Sequence, residues 1–158
     1  MNLSTIPVVR LVIQQLLNYG VHHIVVAPGS RNAPITVGLT THKAFTTYSI
    51  VDERSAGFFA IGLSQQLHQP VAVLCTSGSA LLNIYPAVSE AYYSRYPIVV
   101  ISADRPTYQI DIGNGQTIRQ SGVFSKHLIS ETSLLQDITH NQSAIIESNT
   151  QQLIDVQS

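Results

Sequence analysis

Thr46-Thr47-Tyr48-Ser49-Ile50-Val51-Asp52-Glu53-Arg54-Ser55-Ala56-Gly57 takes the chain from a strand directly into a helix. Residues 46–51 have the β-branched and aromatic content of a strand, and residues 55–67 continue as a Gly/Ala-rich apolar helix. The acidic pair Asp52-Glu53 sits at the junction, and it can be read in two ways. One of these carboxylates caps a helix starting near Arg54, since carboxylates favour helix N-termini. Alternatively Glu53, set among Tyr48, Ile50, Val51, Ala56, Phe58 and Phe59, is partly desolvated. That favours its neutral form and tunes it for proton exchange near neutral pH.

The alternation extends in both directions. Pro7 in a first turn, with Val8, Val9, Val12, Leu16 and Leu17 at helical spacing, predicts a helix capped by Thr5 and stopped by Gly20. A strand over 23–27 ends in Pro28-Gly29, and a short helix is expected over 33–41. A strand over 71–75, the loop Thr76-Ser77-Gly78-Ser79, a helix over 80–95 and a strand over 98–102 follow. Residues 104–120 read as irregular, and the tail suggests a strand over 127–132 and a helix over 142–156. Strands alternating with helices imply an α/β fold, a three-layer parallel sheet with right-handed crossovers and helices on both faces. The continuous apolar strands suit burial on both faces.

The 158 residues suffice for one domain, with no internal linker, repeat or low-complexity tract. Charged residues are only 11% of the chain, against about a quarter in a typical soluble domain. Part of the surface is therefore expected to be buried against a partner. A net charge of −1 gives no electrostatic reason for nucleic acid or an anionic membrane as partner. Cys75, the only cysteine, permits no internal disulfide and reads as a buried thiol in a reducing compartment. No basic-then-apolar leader begins the chain, and no apolar run approaches the roughly 20 residues of a membrane span. A soluble, cytoplasmic protein is expected.

In parallel sheets ligands gather at the carboxyl ends of the strands. Four polar loops fall there: Gly29-Ser30-Arg31, Asp52-Glu53-Arg54, Thr76-Ser77-Gly78-Ser79 and Asp104-Arg105-Pro106. The first offers backbone N–H groups and a guanidinium to a carboxylate or phosphate; equally it is an ordinary turn with Arg31 solvated. Arg105 adds a second guanidinium on the same edge, and two arginines at two strand ends suggest a substrate bearing carboxylates. Gly113-Asn114-Gly115-Gln116 either folds over such a site or is only a turn. Neither G-x-G-x-x-G nor G-x-x-x-x-G-K-[ST] is present, which argues against a nicotinamide cofactor or a nucleoside triphosphate. Ser79, Asp104 and His127 follow a hydrolase order, but Ser77 and Leu81 occupy the glycine positions of G-x-S-x-G. A turn admitting close backbone approach by a flat ligand is the better reading. The histidines lack metal spacing: His22 and His23 are adjacent and point apart, while His42, His68 and His140 fall in loop-like positions. No metal ligands are assigned.

Together these loops resemble the N-terminal pyrimidine-binding domain of thiamine diphosphate enzymes. The matching segments are APGSRNAP (27–34), DERSAG (52–57), QPVAVLCTSGSALLNIYPAVSEA (69–91), SADRP (102–106) and GNGQTIRQSGVF (113–124). As a set they resemble the branch of that family that joins 2-oxoglutarate to isochorismate in menaquinone biosynthesis. The resemblance implies a transferase in which Glu53 hydrogen-bonds the aminopyrimidine of the cofactor and exchanges a proton with it. 2-Oxoglutarate then loses carbon dioxide, and the remaining unit is added to isochorismate. It further implies that Thr76, Ser77 and Gly78 pack near the pyrimidine, and that Ser30, Arg31, Arg105 and Gln116 contact the carboxylate-bearing acceptor. The family holds the diphosphate through Mg²⁺ or Mn²⁺ at a Gly-Asp-Gly motif in a C-terminal domain, and works as a dimer or tetramer with active sites between subunits. This chain contains no Gly-Asp pair. It is therefore read as a single pyrimidine-binding domain over 1–158, a fragment of a longer chain and inactive alone. An acetolactate-type enzyme, disfavoured by the two arginine loops, and a non-catalytic module of the same fold remain as alternatives.

Overall fold

The computed structural model describes residues 6–134. In chain order these form α1 (Pro7–Asn18), β1 (His23–Val26), α2 (Ala33–Thr41), β2 (Thr46–Ser49), α3 (Glu53–Leu67), β3 (Val71–Cys75), α4 (Ser79–Ser94), β4 (Ile98–Ser102) and a 3₁₀ turn (Thr107–Gln109). The four strands are all parallel, in the order β2-β1-β3-β4. Among the described residues no helix is long and apolar enough to cross a membrane.

Alternation along the strands builds two cores. Val25, Val71, Val73 and Cys75 face Ala56 and Ala60 of α3 and Ala80, Leu81, Ile84 and Val88 of α4. Their neighbours Ile24, Val26, Ala72 and Leu74 face the opposite way, onto Val9, Ile13 and Leu16 of α1 and Leu39 of α2. Helices thus cover both faces, as the sequence implies for a parallel sheet. β3 is buried at every residue, whereas β2, at the edge, is exposed at both ends.

Local signals account for most boundaries. α1 opens on Pro7, with Ile6 as an N-cap that makes no side-chain bond; the expected cap, Thr5, lies outside the described residues. Gly20 takes φ +67° just beyond α1, and Gly20 and Val21 return their N–H groups to the carbonyls of Leu17 and Leu16 at 3.1 and 2.8 Å. β1 and β2 end one and two residues earlier than expected. Even so, Ala27 N–H still bonds Leu74 O at 2.8 Å and Ile50 N–H bonds Val26 O at 3.0 Å, so the ladder persists past the strand ends. α3 starts at Glu53, ahead of the expected Ser55, and α4 runs one residue earlier at each end. The strand expected over 127–132 is not formed. Turn hydrogen bonds from Val123, Ser125 and His127 to Gln120, Gly122 and Phe124 fold the chain back on itself, and Gly122 N–H is held by Glu131 Oε1 at 2.9 Å. Phe124 and Leu128 instead anchor this irregular segment to the α3/α4 core. The helix expected over 142–156 lies outside the described residues.

α3 and α4 approach closely at Gly57, where an added Cβ would stand 2.6 Å from Ala87 Cβ. In a free helix Gly→Ala gains about 1 kcal/mol. Here neither partner can swing aside, and overpacking of this kind costs about 1–3 kcal/mol. Gly57→Ala is expected to lower the denaturant midpoint of unfolding. A raised midpoint would mean that the two helices separate freely at this contact.

Candidate active site

α2, leaving β1, covers one face of the sheet, and α4, leaving β3, covers the other. Because β1 and β3 are neighbours, their outgoing loops diverge at the carboxyl edge, the usual ligand position in open parallel sheets. Arg31 bridges the loops at this edge. Its Nη1 donates to Ser77 Oγ at 3.0 Å and to Gln116 Oε1 at 3.3 Å. Ser77 Oγ in turn donates to Gln116 O at 2.8 Å. The segment around Gln116 therefore does fold over the edge, reaching back across it from beyond β4. Its backbone fills the space a side chain at residue 78 would need: a Cβ on Gly78, itself at φ +78°, would meet Gln116 backbone atoms at 2.9 Å. Only glycine suits that position on both counts.

Arg105 joins the same segment from the end of β4. Its Nη1 donates to Gln109 Oε1 at 3.2 Å and its Nη2 to Gly115 O at 3.4 Å, while Nε is buried with no partner. Among the described residues the one salt bridge is Arg119–Asp111, on the surface. Arg31 and Arg105 are half-buried and neither has a carboxylate counter-charge there. Positive charge withdrawn from water and left uncompensated favours an anion. Ser30, exposed beside Arg31, makes no side-chain hydrogen bond to the described residues.

The two readings of the acidic pair separate cleanly. Asp52 is the cap: its Oδ1 accepts from Ser55 N–H at 2.7 Å. Bonds from Ser55 backbone and side chain hold the Asp52 carboxyl below its usual range. Glu53 is the first residue of α3, half-buried, and its carboxylate accepts no hydrogen bond from the described residues. It lies near the end of β3. Burial pushes the Cys75 thiol up to about 12, and the charge of Glu53 adds to that rise. Thr76, next in the chain, is buried with its Oγ1 unpartnered. It also packs tightly on the β1 turn, where a Cβ on Gly29 would come within 2.5 Å of Thr76 Cβ.

Ser79, Asp104 and His127 form no relay. Asp104 Oδ1 accepts from Arg105 N–H at 2.7 Å, burial raises its carboxyl despite that bond, and His127 Nδ1 pairs with Tyr85 Oη at 2.9 Å. Two residues quoted in the motifs but given no role prove structurally central. Gln120 is buried and ties its own segment to two others, at Gly78 and at Ser102-Ala103. Asn32 is fully buried, its Nδ2 donating to Ala27 O at 2.8 Å while Oδ1 has no partner. A polar side chain with two-sided hydrogen-bonding capacity, flanked by turn glycines or proline, is the signal available for both. Among the described residues no group of three or more His, Cys, Asp or Glu side chains converges as a metal site.

The fold is that of a thiamine-dependent enzyme domain. The profile described as thiamine pyrophosphate enzyme, N-terminal TPP binding domain, matches residues 6–133, and the chain belongs to this family. Within the family it is similar to proteins named 2-succinyl-5-enolpyruvyl-6-hydroxy-3-cyclohexene-1-carboxylate synthase. The Flavobacterium psychrophilum protein is 55% identical over 142 residues, covering 90% of this chain and 26% of that relative. The Christiangramia forsetii protein is 56% identical over 144 residues, covering 90% and 25% respectively. The Bacteroides fragilis protein is 59% identical over 106 residues, covering 67% and 19%. The chain spans about a quarter of the length of the first two relatives.

Proposed function

We propose that this chain is the cofactor-activating N-terminal domain of a longer synthase. That enzyme decarboxylates 2-oxoglutarate and transfers the resulting succinyl-semialdehyde unit to isochorismate in menaquinone biosynthesis. The observation that carries the proposal is the division of labour at α3: Asp52 caps the helix, so the Glu53 carboxylate is left unclaimed at the carboxyl edge of the sheet. The substrates are those that the motif resemblance implies, the similarity to proteins named as such synthases supports the reading, and the uncompensated Arg31 and Arg105 suit an acceptor carrying carboxylates.

The residues present fit the pyrimidine end of thiamine diphosphate. Glu53 offers a free carboxylate, Thr76 an unpartnered hydroxyl, and the Gly78 turn a backbone without a side chain in the way. When bound, the cofactor supplies the nucleophilic carbon and the electron sink that a decarboxylation requires. Glu53 would hold and exchange a proton at the aminopyrimidine, with Thr76, Ser77 and Gly78 forming the adjoining wall. Ser30, Arg31, Arg105 and Gln116 would bind and orient the acceptor carboxylates. The diphosphate and its Mg²⁺ or Mn²⁺ would be held by a C-terminal domain outside this chain. A homo-oligomer with sites between subunits fits the exposed Phe58, Phe59, Leu82, Tyr92 and Tyr93 on α3 and α4.

Glu53→Gln in the full-length protein tests the proposal directly. A second experiment tests the domain division. The isolated 158-residue chain is expected to show no synthase activity and only weak binding of thiamine diphosphate. Calorimetric titration of cofactor with Mg²⁺ would reveal this, and a submillimolar, metal-dependent affinity would overturn the assignment of the diphosphate site to another domain.

A further inference from the structure

We infer that Gln120 is a positioning residue that sets acceptor recognition through Ser77 and Arg31, without touching substrate itself; this rests on the reading that Arg31 holds an acceptor carboxylate. Gln120 is 7% exposed. Its Oε1 accepts from Gly78 N–H at 2.8 Å, and its Nε2 donates to Ala103 O at 3.1 Å and to Ser102 Oγ at 3.2 Å. The backbone partners fix which end of the amide is which. Turned over, the NH₂ would face an N–H and the carbonyl would face a C=O. Only an uncharged side chain with both a donor and an acceptor, and of this length, satisfies the three partners at once.

What those segments carry gives the residue its consequence. Gly78 follows Ser77, whose hydroxyl holds both Arg31 Nη1 and Gln116 O. The backbone of Gln116 lies directly against Gly78, and its side chain accepts from Arg31. Ala103 precedes Asp104-Arg105. One buried amide therefore ties the loop of the first guanidinium's support to the loop of the second, where both leave the paired ends of β3 and β4. With the amide removed, the Gly78 N–H and the Ala103 carbonyl lose their partner away from water, and the turn must shift to recover them.

The test uses the full-length protein with Gln120→Met, which keeps the length and removes both hydrogen-bonding functions, alone and combined with Arg31→Ala. Gln120→Met is expected to raise KM for isochorismate about tenfold while leaving KM for 2-oxoglutarate unchanged. In the Arg31→Ala background it should add less than about twofold, because residues acting as one unit are not additive. Penalties that multiply, a parallel rise in both KM values, or no change in either would overturn the inference. Gln120→Glu, which keeps the acceptor for Gly78, decides the matter by the same comparison where the Met variant loses its parent melting temperature. If neither variant folds, Gln120 is a folding residue and the inference fails. Arg31→Ala alone separates the two levels: an unchanged isochorismate KM in that variant removes the carboxylate reading itself. A raised KM there without an effect of Gln120→Met removes only the role of Gln120.

Discussion

Glu53→Gln in the full-length protein is expected to lower kcat by about 10²–10⁴-fold, the usual contribution of a positioned acid–base group, with the fold retained. The amide keeps the size and much of the hydrogen-bonding reach of the carboxylate, but it cannot take up and return a proton. Structure makes this substitution unusually clean. Asp52 caps α3 through Ser55, so the helix N-terminus does not depend on Glu53, and the melting temperature should stay near that of the parent. Asp52→Ala supplies the opposite control: it should lower the melting temperature by removing the cap while sparing most of kcat in the protein that remains folded. Steady-state rates and thermal unfolding of the two variants check the pair. A Glu53→Gln protein that keeps most of its rate would make this carboxylate a bystander at the helix start.

The sequence alone revealed the central architecture because its strongest signals are local. β3 and β4 fall where their apolar, β-branched runs place them, and α2 where Pro34 and the run to Thr41 place it. The start of α3 shifted because a side-chain bond rather than a pattern sets it, the Asp52–Ser55 contact. That contact also decided between two adjacent carboxylates that no spacing rule distinguishes. The strand reading misled at 127–132, because apolar side chains such as Leu128 can anchor an irregular segment to a core as well as a strand can. The convergence of Arg31, Ser77 and Gln116 was legible only as polar loops sharing one edge. Their contacts join residues 46 and 85 positions apart, and such pairings depend on how the loop after β4 returns across the sheet. Gln120 stayed hidden for the same reason: its three partners lie on segments that meet only in the folded chain.

Arg31→Ala and Arg105→Ala in the full-length protein are each expected to lower kcat/KM for isochorismate roughly ten- to a hundredfold, the equivalent of losing one charge-assisted hydrogen bond of about 1.5–3 kcal/mol. The apparent affinity for thiamine diphosphate should change far less. The argument is electrostatic. Both guanidiniums are half-buried, both are held by neutral acceptors (Ser77 and Gln116 for one, Gln109 and Gly115 for the other), and neither meets a carboxylate among the described residues. Such an arrangement orients a cation without neutralising it, which leaves its charge for a ligand. The two should nevertheless differ. Arg31 is braced by a serine whose hydroxyl is itself fixed by Gln116 O, so Arg31→Lys should recover only part of the loss, an ammonium lacking the planar fork that grips a carboxylate with two parallel bonds. Arg105 has an unpartnered buried Nε, so removing its side chain also removes an unsatisfied polar atom, and Arg105→Ala should be the less damaging to stability. Measuring kcat/KM for isochorismate beside cofactor affinity in each variant makes the comparison. Equal losses in both quantities would indicate general misfolding, and no loss in either would leave the two arginines only a structural role in holding the loops.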